Sequence, residues 1–227
     1  MIIVMLFRKY CSYTVYLLEN LIHKEIACVS PKLFNDPLDS YYLMDDTLLD
    51  RFSNIYPKEV RVACLNLSEK TDDSLSKSEM LMWAHYADAH KGISIEYEIL
   101  GKEFKNSPDT VSDIRESCFL NKIHYMPKFL NKLKNLDLSM GDNEQNLHTL
   151  FLTKDEAFSY EKEYRILKYS ISEKDIDFIS APRVSKIIFG LRCSNELEKV
   201  ISKINEKVYS NKIELYKIDK DFKEVLL

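Results

Sequence analysis

Two periods run through this chain. Residues 92–99 read G-I-S-I-E-Y-E-I and alternate strictly, with Ile93, Ile95, Tyr97 and Ile99 on one side and Ser94, Glu96 and Glu98 on the other. A period of two predicts a half-buried strand, apolar face inward and polar face in solvent. The β-branched run Val60–Leu67 predicts another strand, and residues 3–10, 26–30, 122–126, 184–189 and 213–218 read the same way. A helical period appears at 14–25, where Val15, Leu18, Leu21 and Ile22 share a face. It is clearest at 194–208, with Leu197, Val200, Ile201, Ile204 and Val208 on one face and an N-x-x-E start at Asn195 and Glu198. Ser78 is expected to cap a helix running through residue 89, with Gly92 just past its end. Residues 128–138 carry Phe129, Leu130, Leu133 and Leu136 at helical spacing, a further helix is expected over 143–152, and 101–118 reads as a loop. Strands and helices mix without regular β-α-β alternation. This predicts an α+β fold: a single domain over residues 1–227, with a mixed or mainly antiparallel sheet and surrounding helices.

The stretch F-S-Y-E-K-E-Y-R-I-L, residues 158–167, combines both themes of core and charge. Read as a strand, it places Glu161, Glu163 and Arg165 on one face and Tyr160, Tyr164 and Ile166 on the other. An ion-pair ladder on a solvated face is one explanation. The aromatic neighbours favour partial burial, and buried carboxylates need partners or a purpose, because desolvating an unpaired charge costs several kcal/mol.

Composition narrows the chemistry. Lys and Arg total 32 against 36 Asp and Glu, a net charge of −4, which argues against a general nucleic-acid binder. Only four glycines occur, at 92, 101, 141 and 190, so no glycine-rich loop can cradle phosphates; any nucleotide would be bound by side chains in a cleft. Cys11, Cys28, Cys64, Cys118 and Cys193 are scattered, odd in number and without a C-x-x-C pair, which suits packing thiols in a reduced, cytoplasmic protein. The apolar start is far shorter than a membrane span and reads as a buried first strand, so no membrane partner is expected.

Three further groups invite chemistry. Phe34-Asn35-Asp36-Pro37-Leu38-Asp39 is turn chemistry that would also present Asn35, Asp36 and Asp39 at the lip of a cleft. Met82-Trp83-Ala84-His85-Tyr86-Ala87 holds the single tryptophan; on a helical wheel Met80, Trp83, Ala84 and Ala87 form a stripe, with His85 nearly opposite beside Met82 and Tyr86. His85 and His90 lie five apart, not at the spacing that aligns two ligands on a helix, and no metal is expected. The basic run Lys122, His124, Lys128, Lys132 and Lys134 lacks the aromatic interleaving of a single-strand binder.

Together the blocks Lys9-Tyr10, Phe34 to Asp39, Cys64, Met82 to Gly92 and Lys154 to Arg165 resemble a widespread bacterial domain-of-unknown-function family (family 2971). Two positions depart from its pattern: Phe158 stands for the usual tryptophan, and Cys64-Leu65-Asn66 for the usual Cys-Phe-Ser. The order of elements is also similar to the ADP-ribosyltransferase fold. That likeness implies NAD as a substrate, with Glu163 in the catalytic position, Glu161 as its E-x-E companion and His85 on the middle helix. Arg8, Lys9 and Tyr10 would meet the cofactor with Asn35, Asp36, Trp83 and Tyr86. It implies an acceptor among nucleic acid, protein and water, and a role as a toxin or phage-defence effector. Two alternatives stay open: a non-catalytic nucleotide- or protein-binding module, and a metal-dependent hydrolase or nuclease built on His85, Asp36 and Asp39.

Overall fold

The computed structural model describes residues 4–34, 39, 60–68, 74–100, 118–127, 151–169 and 174–227. It is α+β, a mixed sheet with few helices. The chain divides into two compact units, one formed by Met1–Ile26, Leu65–Glu103 and Ile179–Leu227, the other by Ala27–Cys64 and Phe104–Phe178.

The first unit is built on strands β1 (Val4–Cys11), β4 (Ile93–Leu100), β10 (Arg183–Phe189), β11 (Glu214–Ile218) and β12 (Glu224–Leu226). Their order is β12-β11-β10-β4-β1, followed by Asn66 and Leu67 at the end of β3 (Val60–Leu67). Among the described residues of this unit, only the β10–β11 pair is parallel. Parallel neighbours need a crossover, and helix α3 (Asn195–Tyr209) supplies it. Ser194, not Asn195, caps α3: its side chain accepts from the Leu197 N–H, and Leu197, Ile201 and Ile204 are buried as their spacing requires. Helix α1 (Val15–His23) is capped by Thr14 and turned out by Lys24 in the left-handed region. The hydroxyl of Tyr209 donates to the Leu21 carbonyl and ties α3 to α1.

Two expectations in this unit are corrected. Helix α2 spans Lys77–Tyr86 and starts from Ser76 rather than Ser78, through a reciprocal capping box with Glu79. Ala84 is exposed and Met82 is buried beside Trp83, the reverse of the stripe expected from the wheel. Strand β4 is not half-buried: Ser94 and Glu96 are 0% and 3% exposed, because the face expected to meet water is covered.

The second unit uses β5 (Cys118–Lys122) and β8 (Glu163–Tyr169), paired antiparallel from Cys118–Lys168 to Lys122–Tyr164. The first part of β3 pairs with β2 (Glu25–Val29) at Val29 and Val62 and also borders β8. Short strands β6 (His124–Met126) and β7 (Thr153–Asp155) form a separate parallel pair, and β9 spans Ile176–Ser180. The core gathers Val60, Val62, Phe119, Ile123, Phe151, Leu152, Leu167 and Tyr169. Neither β7 nor β9 is among the strands expected from the sequence. The expected helix over 128–138 and nearly all of that over 143–152 lie outside the described residues, as does 101–117 of the expected loop.

The stretch 158–167 is only partly a strand. Glu156–Glu161 is a 3₁₀-helix capped by Asp155, Lys162 takes a left-handed conformation (φ 47°), and β8 begins at Glu163. Glu163 and Arg165 share a strand face; Glu161 does not belong to the strand.

Candidate functional site

In the second unit five charged side chains are buried together. Arg165 on β8 is wholly enclosed; its Nε donates to Glu163 Oε1 at 2.7 Å and its Nη2 to Asp39 Oδ2 at 2.5 Å. Lys154 on β7 points its ammonium at Glu161 Oε2 (2.7 Å), Glu163 Oε2 (3.0 Å) and Asp39 Oδ2 (3.5 Å). Phe158 and Phe34 cap the two cations, each ring centred 5.2 Å from its partner. The backbone of Glu163 is pinned as well: its N–H donates to the Tyr125 hydroxyl at 2.8 Å, and its carbonyl accepts from Ile123 at 3.0 Å.

The electrostatics follow from this enclosure. Burial works to raise the pKa of Glu163, but Arg165 and then Lys154 outweigh it and hold the carboxyl well below the usual range, so it is a fixed anion. Burial lowers the pKa of Lys154, yet Glu163 and Asp39 more than reverse this and keep the ammonium charged. Cys64 is pushed the other way: burial first, then neighbouring Glu163, raise its thiol far above the ordinary value, which makes it a neutral packing group. The five cysteines are all free thiols.

A second buried polar group lies in the first unit, and strand register creates it. Arg8 on β1 stands opposite Glu96 on β4, which stands opposite Lys186 on β10, which stands opposite Glu214 on β11. Residues opposite one another share a face, so the charges alternate along one row across four strands. Arg8 Nε donates to Glu96 Oε2 at 3.3 Å and its Nη1 to Glu79 Oε1 at 2.8 Å. Its Nη2 lies 2.7 Å from Glu224 Oε1, a close ion pair whose N–H direction misses hydrogen-bond geometry. Ser185 and Ser68 donate to the two oxygens of Glu96. Although burial opposes the charge on Arg8, Glu224 leads the neighbours that raise its pKa. Through Glu79, which also closes the capping box, the row anchors the start of α2.

Beside that row Trp83 is fully buried. The edge of Tyr10 meets it at 5.4 Å and the His90 ring stacks on it at 5.9 Å with 12° between planes. Gly92 closes the turn where a Cβ would stand 2.0 Å from the Cys11 carbonyl oxygen; no side chain fits there.

These placements sort the expected site residues. Glu161 and Glu163 are buried in the second unit's cluster. Arg8, Lys9, Tyr10, Trp83, His85 and Tyr86 belong to the first unit. There Arg8 and Tyr10 occupy one sheet face and Lys9 the other, as their alternation on β1 dictates. His85 and Tyr86 are exposed on α2, with their rings 6.4 Å apart. Asn35 and Asp36 lie outside the described residues. Arg165 holds Glu163 and Asp39, while Lys154 holds Glu161. Lys154 and Tyr125 were missed as site residues, although Lys154 opens the K-x-x-x-F-x-Y-E block. Glu79, Glu96, Lys186 and Glu224 were missed because they come from four separate segments. Among the described residues no group of three or more His, Cys, Asp and Glu side chains is disposed to hold a metal ion, and no helix is long and apolar enough to cross a membrane.

The described residues thus define an α+β protein with two buried polar centres. Residues 82–166 match a family model described as Protein of unknown function (DUF2971), which bears out over that span the family resemblance read from the M-W-A-H-Y-A and Y-E-K-E-Y-R blocks. No curated protein and no solved structure matches the chain.

Proposed function

We infer that the chain is an NAD-using ADP-ribosyltransferase-like enzyme whose working carboxylate is Glu163. One observation carries this reading: the first residue of β8 is a carboxylate kept ionised by Arg165 and Lys154, with a second carboxylate, Glu161, on the same ammonium. Cleaving the bond between nicotinamide and ribose builds positive charge on the sugar, as in glycoside cleavage. A preorganised anion that accepts from a ribose hydroxyl lowers that barrier, and it must stay charged at neutral pH to do so. Glu161 would position or deprotonate the acceptor, whether nucleic acid, protein or water.

A second reading is a non-catalytic nucleotide- or protein-binding module in which the cluster pins the fold. It is favoured by the saturation of Glu163: Oε1 and Oε2 already receive Arg165 and Lys154, and the residue is 3% exposed. A carboxylate offers about four acceptor directions, and few remain here. Nicotinamide release from NAD separates the two. On the enzyme reading Glu163→Gln lowers turnover by about 100-fold or more with NAD affinity kept. Wild-type protein that binds NAD without releasing nicotinamide, whatever acceptor is supplied, leaves the binding module.

A further inference from the structure

The turn between α2 and β4 carries the longest run of positive-φ residues among the described residues. Asp88, Ala89 and His90 follow one another in the left-handed region, with φ of 47°, 49° and 68°. None is glycine, and each such residue costs on the order of 1 kcal/mol unless its surroundings hold it. The surroundings here are specific. The His90 N–H donates to the Trp83 carbonyl (3.2 Å), Gly92 to Ala87 (2.9 Å) and Lys91 to Asp88 (3.0 Å). The His90 carbonyl accepts from Arg192 at 2.9 Å and packs so tightly on Gly190 that a Cβ there would sit 2.2 Å away. The imidazole lies flat on Trp83, with Phe222 edge-on at 6.4 Å.

Two buried polar atoms in this stack, His90 Nδ1 and Trp83 Nε1, have no hydrogen-bond partner. A buried atom without a partner asks for an explanation. Neutral imidazole tolerates an unpartnered Nδ1 as a bare lone pair. Imidazolium does not, since it must donate from both nitrogens. The charged groups around the ring offer no relief. Arg192, from the turn after β10, is a cation and acts against protonation. Asp88 and Lys91 on the same turn face each other at 3.9 Å. In the turn that carries Phe222, the Asp219 carboxylate accepts from the Asp221 and Lys223 N–H groups, and Lys220, Asp221 and Lys223 are solvent-exposed.

We propose that Asp88–Gly92 is a proton-operated latch: closed while neutral His90 stacks on Trp83, and released when the ring takes up a proton. Protonation puts a donor where no acceptor waits and adds charge beside Arg192, so the ring leaves Trp83 and the left-handed turn keeps only its backbone hydrogen bonds. The latch joins α2, and with it the Glu79–Arg8 pair, to β4. It is independent of the reading given to Glu163.

The single tryptophan makes the test direct, because all indole emission comes from Trp83. Emission and far-UV circular dichroism are followed as pH falls from about 7.5 to about 5, spanning the ordinary histidine range. The expected result is a one-proton change in Trp83 emission, with its midpoint below 6.5 and secondary structure retained. His90→Phe keeps a ring on the indole but cannot titrate, so its emission stays flat. Amide exchange in the wild type checks the same event without a variant. Protection at Lys91 and Gly92, corrected for intrinsic pH dependence, falls by up to about tenfold per pH unit below the midpoint. Flat wild-type emission, a transition that persists in His90→Phe, or unchanged protection at both amides overturns the proposal.

Discussion

The two buried charge groups use the same chemistry and arise in different ways. In the first unit Arg8 and Glu96 meet because β1 and β4 are in register, and Lys186 on β10 continues the same row. In the second, Asp39, Lys154, Glu161, Glu163 and Arg165 come from a loop, a three-residue strand, a 3₁₀-helix and β8, and only the folded unit brings them together. The row is also more open, since Glu79 at its end is 26% exposed whereas Arg165 is 0%. A row made by register inherits its geometry from hydrogen-bonded backbone. A cluster made by tertiary packing must be held by its own ion pairs, and it therefore depends more on each member.

The largest expected difference is in arginine replacement. Arg165→Met leaves Asp39 and Glu163 buried without their main cation and should cost about 3–5 kcal/mol by denaturant unfolding. Arg8→Met should fall at the lower end, about 3 kcal/mol, because Glu79 can turn to water. Equal losses, or the reverse order, would break the contrast between an open row and a closed cluster.

Acid should separate the units next. Glu163 has a folded pKa below its unfolded value of 4.5, so its contribution is complete above that pH and is lost as pH falls through the lower folded value. His90 is also lowered, from 6.5, but it is a base. The unfolded chain then binds the proton more readily, and stability falls as pH drops from 6.5 toward the folded value. Trp83 should therefore report a change at mildly acid pH, before amide signals of β8 respond at strongly acid pH. Coincident transitions would show that the units do not respond separately.

The smallest effect is expected at the cap of α2. Ser76→Ala removes the acceptor for the Glu79 N–H and should cost about 1 kcal/mol. Because Glu79 also holds Arg8, thermal unfolding of this variant in an Arg8→Met background should show a coupling of about 0.5 kcal/mol or more. Simple additivity would mean that cap and row act independently.

Much of this was legible in the residue order. Strand Val60–Leu67 and the alternation of 93–100 follow from local pattern, and so do the helices α1 and α3, because backbone period is a local property. The motif spacing also singled out Glu161, Glu163, Trp83 and Gly92 as special positions. What the pattern could not show was cover. Ser94 and Glu96 have the period of a solvent face, yet both are buried. Glu161 has the spacing of a strand, yet a left-handed Lys162 separates it from β8. Glu224 had no pattern to mark it and proved to be a buried partner of Arg8.

The sequence alone therefore determined which residues alternate and which segments are helical, while the starts of α2 and α3 moved by one or two residues. Only the tertiary structure decided which charges lose their water. Desolvation depends on what packs above a side chain, and that neighbour lies many residues away: 88 for Arg8 and Glu96, 126 for Arg165 and Asp39. Secondary structure is written in the spacing of neighbours along the chain, and burial of charge in contacts that spacing does not encode.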